Sequence, residues 1–180
     1  MTTQRKLSPR RAAEETMKIL RSGANEAKAA SYQRHFKEPV DFYGLGTEST
    51  KQIKRNLLDR VGGIWTIRDA VSFCDAMLRD PHMEARGIGY QVVAHFVPQA
   101  QPGLLADVKR WLERSCGNWG LVDNLAPSCR WFRRTRDIGR LLIRSSRVFS
   151  TTMRTLCIRR SAGCSERPER RTRAPWRNSF

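Results

Sequence analysis

No stretch of this 180-residue chain is apolar for long enough to cross a bilayer. The longest apolar-leaning run, IGYQVVAHFV at 88–97, falls well short of the roughly 20 residues a spanning helix needs. The opening MTTQRKLSPRRAAEETMKIL lacks the apolar centre of a leader, and Glu14 and Glu15 count against a transit peptide. No membrane partner is expected. The five cysteines (74, 116, 129, 157 and 164) form no C-x-x-C pair and no zinc-type spacing with histidine, so no metal is expected and reduced thiols are the simpler reading. His35, His82 and His95 are scattered, without a partner at fixed spacing, and read as surface or core filler rather than as a catalytic set. No segment alternates with period two for long enough to make a strand. Gly44-x-Gly46 and Gly87-x-Gly89 are fragments of a dinucleotide fingerprint, with no strand before them and no third glycine. Lysine, finally, is missing after Lys109.

What is abundant is positive charge: 34 basic residues against 17 acidic ones, a net +17. Residues 1–128 hold 19 Lys and Arg with 14 acids, whereas residues 129–180 hold 15 Arg with 3 acids. A polyanion, most commonly nucleic acid, is the partner such a balance implies. The other reading is that a basic tail carries the charge and says nothing of the domain before it.

The first 128 residues read as helices joined by short turns. Residues 8–31 are rich in Ala, Glu, Lys and Arg. Pro39, Gly44 and Gly46 then mark a loop, Thr47 is placed to cap the helix ESTKQIKRNLLDRV, and Gly62-Gly63 ends it. The start of that helix could instead hold a phosphate on its free N–H groups. Thr66 with Asp69 forms a capping-box pattern ahead of IRDAVSFCDAMLRD, whose apolar face is Ala70, Phe73, Met77 and Leu78. Pro81 opens the next helix, Pro98 and Pro102 punctuate the loop after it, and LLADVKRWLERS is amphipathic through Leu104, Leu105, Val108, Trp111 and Leu112. The fold class expected is all-α, a solenoid of antiparallel helix pairs.

Residues 116–127, CGNWGLVDNLAP, hold the most informative pattern. Asn118 is a good N-cap and Pro127 a stop, so Trp119 and Asp123 lie one helical turn apart on one face, with Leu121, Val122 and Leu125 mostly on another. By itself the pair has two readings. Either Trp119 packs in the core while Asp123 caps or ion-pairs, or the two form a deliberately placed aromatic and anion.

Three stretches in order, YQRHFKEPVDFYGLGTESTKQIKR, DPHMEARGIGYQVVAHFV and VKRWLERSCGNWGLVDNLAP, resemble the AlkD-like DNA alkylation repair enzymes, most specifically at Asn118-Trp119-x-x-Val122-Asp123. The resemblance runs through about residues 31–128. It implies a HEAT-like helical-repeat solenoid and a DNA glycosylase, without metal or redox cofactor, that cuts the N-glycosidic bond of cationic N3- or N7-alkylated purines in duplex DNA; a monomer is expected, with oligomeric state left open by the sequence. A cytoplasmic, nucleoid-associated protein of bacterial type is expected, in line with the reduced thiols. Trp119 and Asp123 would line the catalytic cleft, and Tyr43 and Thr47 are further candidates to face DNA.

After Pro127 the chain departs from the family. Cys157 stands where a Trp-x-x-Arg element would have its Trp, and Arg160 stands at the Arg. Arg160, with Arg159 beside it, is either a phosphate contact or one of many tail arginines. The repeats that complete the family's concave face have no counterpart. A tail of arginines without lysine fits a shortened or frame-shifted relative, or an arginine-rich extension that binds nucleic acid by charge. The helical-repeat domain is placed at 1–164, with RDIGRLLIRSSRVF as a further helix, and a disordered tail at 165–180. The alternative function is a HEAT-like protein that binds nucleic acid without catalysis, or an inactive shortened relative.

Overall fold

A computed structural model describes residues 7–100 and 103–127. The chain divides into two units, Met1–Ile138 and Gly139–Phe180, and all described residues belong to the first. The helix expected around RDIGRLLIRSSRVF, the boundary after residue 164 and the tail lie outside the described residues.

Those residues form seven α-helices and one 3-10 turn, with no strand among them: α1 (Pro9–Ser22), α2 (Glu26–Gln33), α3 (Thr47–Val61), α4 (Ile67–Met77), α5 (Met83–Phe96), the 3-10 turn Val97–Gln99, α6 (Leu104–Arg114) and α7 (Trp119–Leu125). The fold class is all-α, consistent with the helical repeats of AlkD-like proteins. No described helix is long and apolar enough to cross a membrane.

Helix starts follow the sequence where a short polar side chain can reach back to a backbone N–H. Ser8 caps α1 and Asn25 caps α2. Thr66 and Asp69 close the expected capping box at α4. Two expectations change. The stretch 8–31 is two helices: Gly23 ends α1, and Asn25 starts α2 two residues later. Thr47 is the first residue of α3, not its cap; Gly46 holds that position without a side-chain hydrogen bond.

The core lies where α4 packs against α5 and α1, and α5 in turn against α7 and α3. Phe73, Cys74 and Met77 of α4 are fully buried, as are Tyr90, Val92 and Val93 of α5, with Ala12, Ala13 and Leu20 contributed by α1. Ala70, Phe73 and Met77 form the inner face of α4 as the spacing predicts, joined by Ile67, Val71 and Cys74, while Leu78 is only half-buried at the helix end. Indole N–H groups inside the core are satisfied: Trp65 Nε1 donates to the Leu7 carbonyl at 2.8 Å and Trp111 Nε1 to Asp75 Oδ1 at 2.7 Å. Among the described residues no buried side-chain N or O lacks a hydrogen-bond partner.

Candidate functional site

The short helix α7 is built as the spacing predicts. The Asn118 side chain accepts the Leu121 N–H at 3.0 Å, and the helix ends at Leu125, two residues before Pro127. Gly120, Leu121, Val122 and Leu125 are buried, so the inner face is fully committed to packing, chiefly on α5. Trp119 and Asp123 are left on the outer face. Trp119 is 52% exposed, which overturns the reading that places it in the core. Asp123 is exposed too, and it forms no hydrogen bond or ion pair among the described residues. A hydrated surface carboxylate is ordinary, and the half-exposed indole one turn before it gives this face its distinctive combination of aromatic surface and negative charge.

Three features hold this face in place. α7 sits close to α5 because Gly87 faces the Asn124 side chain and Gly120 faces Met83 and Phe36; a Cβ at Gly120 would collide with the end of Met83. A polar relay crosses three helices: Lys54 Nζ donates to Gln91 Oε1 at 2.9 Å, Gln91 Nε2 to Asn124 Oδ1 at 2.6 Å, and Asn124 Nδ2 to the Gly120 carbonyl at 2.9 Å. It fixes the rotation of α7 and hence where Asp123 points. From outside the helix, the Phe36 ring stacks on Trp119 with centroids 5.1 Å apart and planes 13° from parallel.

Tyr43 does not face outward. Its ring is buried, stacked on His82 at 3.8 Å, and its hydroxyl donates to Asp80 Oδ2 at 2.7 Å. The His82 backbone N–H and ring Nδ1 both donate to Asp80 Oδ1, at 3.0 and 2.8 Å, and the Arg21 guanidinium lies 3.7 Å from Oδ2. Burial raises the Asp80 pKa, but the hydrogen bonds from Tyr43 and His82 outweigh it and leave the carboxyl below its ordinary value. Burial likewise raises the Tyr43 hydroxyl, assisted by the Asp80 charge.

The loop before α3 does take an anion on its backbone, and that anion is the protein's own. Glu84 accepts the N–H groups of Tyr43, Gly44 and Leu45 at 3.0, 2.8 and 3.2 Å. Thr47 remains exposed just beyond, at the first position of α3. Arg159 and Arg160 lie outside the described residues. The structure thus places Trp119 and Asp123 on one face of α7, sets Tyr43 in the loop before α3 and Thr47 at the start of that helix, and turns Tyr43 inward.

Sequence reasoning missed Phe36, Asp80 and Glu84. For Glu84 the glycine-marked loop signals only that backbone N–H groups need an acceptor, and the carboxylate that supplies it lies forty residues on. Phe36 had no local signal, because its partner is remote in sequence. His82, read as filler, is a half-buried packing residue with a specific carboxylate partner.

The sequence model of the family described as DNA alkylation repair enzyme matches residues 16–144, extending on both sides of the stretch 31–128. No curated protein matches the chain, and no solved structure does.

Proposed function

From the premise that the chain belongs to the DNA alkylation repair enzyme family, we propose that it is a DNA glycosylase that excises cationic N3- or N7-alkylated purines from duplex DNA. The observation that carries this reading is the outer face of α7: Trp119 and Asp123 project from a helix whose other side is spent on packing.

The chemistry suits those two side chains. An alkylated purine carries a positive charge, so the C1′–N bond breaks with its electron pair going to the base, which leaves neutral. The sugar then develops oxocarbenium character, water adds to C1′, and that water loses a proton. A carboxylate beside C1′ stabilises the cation and can accept the proton. Once DNA covers the site, an attraction at ~4 Å and an effective dielectric near 20 is worth about 4 kcal/mol, or roughly a thousandfold in rate if it arises only in the transition state. The free face of Trp119 offers a cation–π contact of about 0.5–2 kcal/mol to the charged base or sugar. Exposed Arg34 and Lys37 flank Phe36 and would meet the phosphate backbone, with Thr47, Arg159 and Arg160 as further contacts.

The test is abasic-site formation in duplex DNA containing N7-methylguanine, comparing the protein with its Asp123→Asn variant. The expected result is rapid formation by the former and a loss of about a hundred- to a thousandfold in the latter, with DNA affinity kept. Binding without turnover in both proteins would replace the enzyme with a nucleic-acid-binding scaffold. A scaffold would tolerate Asp123→Asn, or bind slightly better for the loss of a negative charge.

A further inference from the structure

Phe36 comes from the segment between α2 and α3, far in sequence from α7, yet its ring forms the floor on which Trp119 rests. With one face stacked and half its surface still exposed, the indole keeps its remaining surface for whatever approaches Asp123. Without that floor, an indole at the first turn of a seven-residue helix would be free to change rotamer on a fast timescale.

The floor is itself rigidly placed. Phe36 meets Phe42 at 5.6 Å, and Phe42 meets Tyr32 edge-on at 5.8 Å, so three rings brace one another behind Trp119. The segment is closed on itself by Gln33, whose amide donates to the Glu38 carbonyl at 2.8 Å and accepts the Val40 N–H at 2.7 Å. The Phe36 N–H donates to the Gln33 carbonyl at 3.0 Å, and Met83 N–H ties the Asp41 carbonyl to the start of α5 at 2.8 Å. Gly120 completes the fit. A Cβ there would stand 3.3 Å from Phe36 Cζ, tighter than an ordinary contact, so a side chain would press on the ring.

We propose that Phe36 is a positioning residue for the glycosylase step. It sets the plane of the Trp119 indole so that the free face meets the cationic nucleotide beside Asp123, and it acts only through Trp119. The proposal rests on the reading of Trp119 and Asp123 as the reacting site. An offset-stacked aromatic pair is worth enough that its loss corresponds to about a 2- to 12-fold change in rate.

The experiment uses the full chain carrying Phe36→Ala, Phe36→Leu or Phe36→Tyr, beside the unaltered protein and Asp123→Asn. Three quantities are read: the single-turnover rate of abasic-site formation at saturating protein, the Kd for undamaged duplex, and the 19F spectrum of 5-fluorotryptophan-labelled protein, with Trp119 assigned by its loss in Trp119→Phe. Phe36→Ala and Phe36→Leu are expected to lower the saturated rate by about 2- to 12-fold with Kd unchanged within about twofold. Phe36→Tyr should restore the rate, and the Trp119 resonance should move in the first two variants and return in the third. Should Phe36→Ala fail to fold, the Leu and Tyr variants, which keep apolar volume, decide the matter. Leucine serving as well as tyrosine would reduce Phe36 to packing and overturn the proposal. An undiminished rate in Phe36→Ala with Asp123→Asn inactive would reject the positioning role alone. If the unaltered protein makes no abasic sites, or Asp123→Asn makes them equally fast, the glycosylase reading fails and the positioning role falls with it.

Discussion

Asp80 shows at the scale of one residue how a buried carboxylate is made to stabilise a fold. It is 6% exposed, and desolvation alone would drive its pKa up. Donors from Tyr43 and His82 reverse that and hold the carboxyl below its ordinary value. A depressed folded-state pKa means that the ionised group stabilises the protein fully above the unfolded-state value of about 3.9, and that this stabilisation is lost as pH falls through the lower folded-state value. Asp80→Asn should therefore cost about 1–3 kcal/mol at neutral pH, since at least one donor to a charged acceptor is left poorly matched. The gap between the variant and the unaltered protein should begin to narrow below about pH 4 and close only below the lower folded-state value. Urea melts of both proteins at neutral pH and near pH 3 check this, and an equal gap at the two values would show that Asp80 acts through packing rather than charge. His82 and Tyr43 illustrate what single residues conceal. The histidine looked like filler although its carboxylate stands only two residues before it, and the loop tyrosine looked outward-facing because that same carboxylate lies on a different loop from Tyr43.

Among elements, the loop from Asp41 to Gly46 is where local signals and long-range contacts part. Gly44 has φ +80°, and a Cβ there would run into the Asn25 carbonyl oxygen and the Ala29 amide nitrogen. Both are backbone atoms that cannot swing aside. Gly44→Ala should lower stability by about 2 kcal/mol or more, roughly a 4–8 °C drop in Tm for a chain of this size. Gly63→Ala, with open space around the new methyl, should stay within about 0.5 kcal/mol. Thermal melts of the two glycine variants side by side separate a conformational demand from a generic loop effect. The sequence placed this loop correctly through Pro39, Gly44 and Gly46, and the caps at Asn118 and Thr66 were equally legible because each involves residues three apart. The break at Gly23 was less visible. Good helix formers dominate 8–31 on both sides of the break, and only the pairing of a C-cap glycine with an N-cap asparagine two residues later marks it. Gly46 rather than Thr47 holds the cap position, and the N–H groups just before it are committed to Glu84. That carboxylate lies forty residues on and could not be assigned from the loop alone.

For the whole molecule, the all-α fold and the shared face of Trp119 and Asp123 were readable from helical periodicity, the role of that face was suggested only by the family resemblance, and the stacked floor under Trp119 was not readable, because Phe36 lies far from Trp119 in sequence. Charge is legible at this scale without any contact map. Residues 129–180 carry 15 of the chain's 34 basic residues and only 3 of its 17 acids, so they should contribute heavily to DNA affinity, whatever their fold. Each phosphate neutralised on duplex DNA adds about 0.9 to the slope of log affinity against log salt. If Arg159 and Arg160 each hold one, replacing both by alanine should reduce the magnitude of that slope by roughly 2, measured between about 50 and 200 mM salt. The single-turnover rate at saturating protein should not change, because neither arginine is asked to act on the breaking bond. Asp123→Asn should do the reverse, lowering turnover by about a hundred- to a thousandfold and leaving the slope alone. An unchanged slope in the double-alanine variant would remove Arg159 and Arg160 from the DNA interface and move the electrostatic footprint to other arginines or to the Arg34–Lys37 segment beside Trp119.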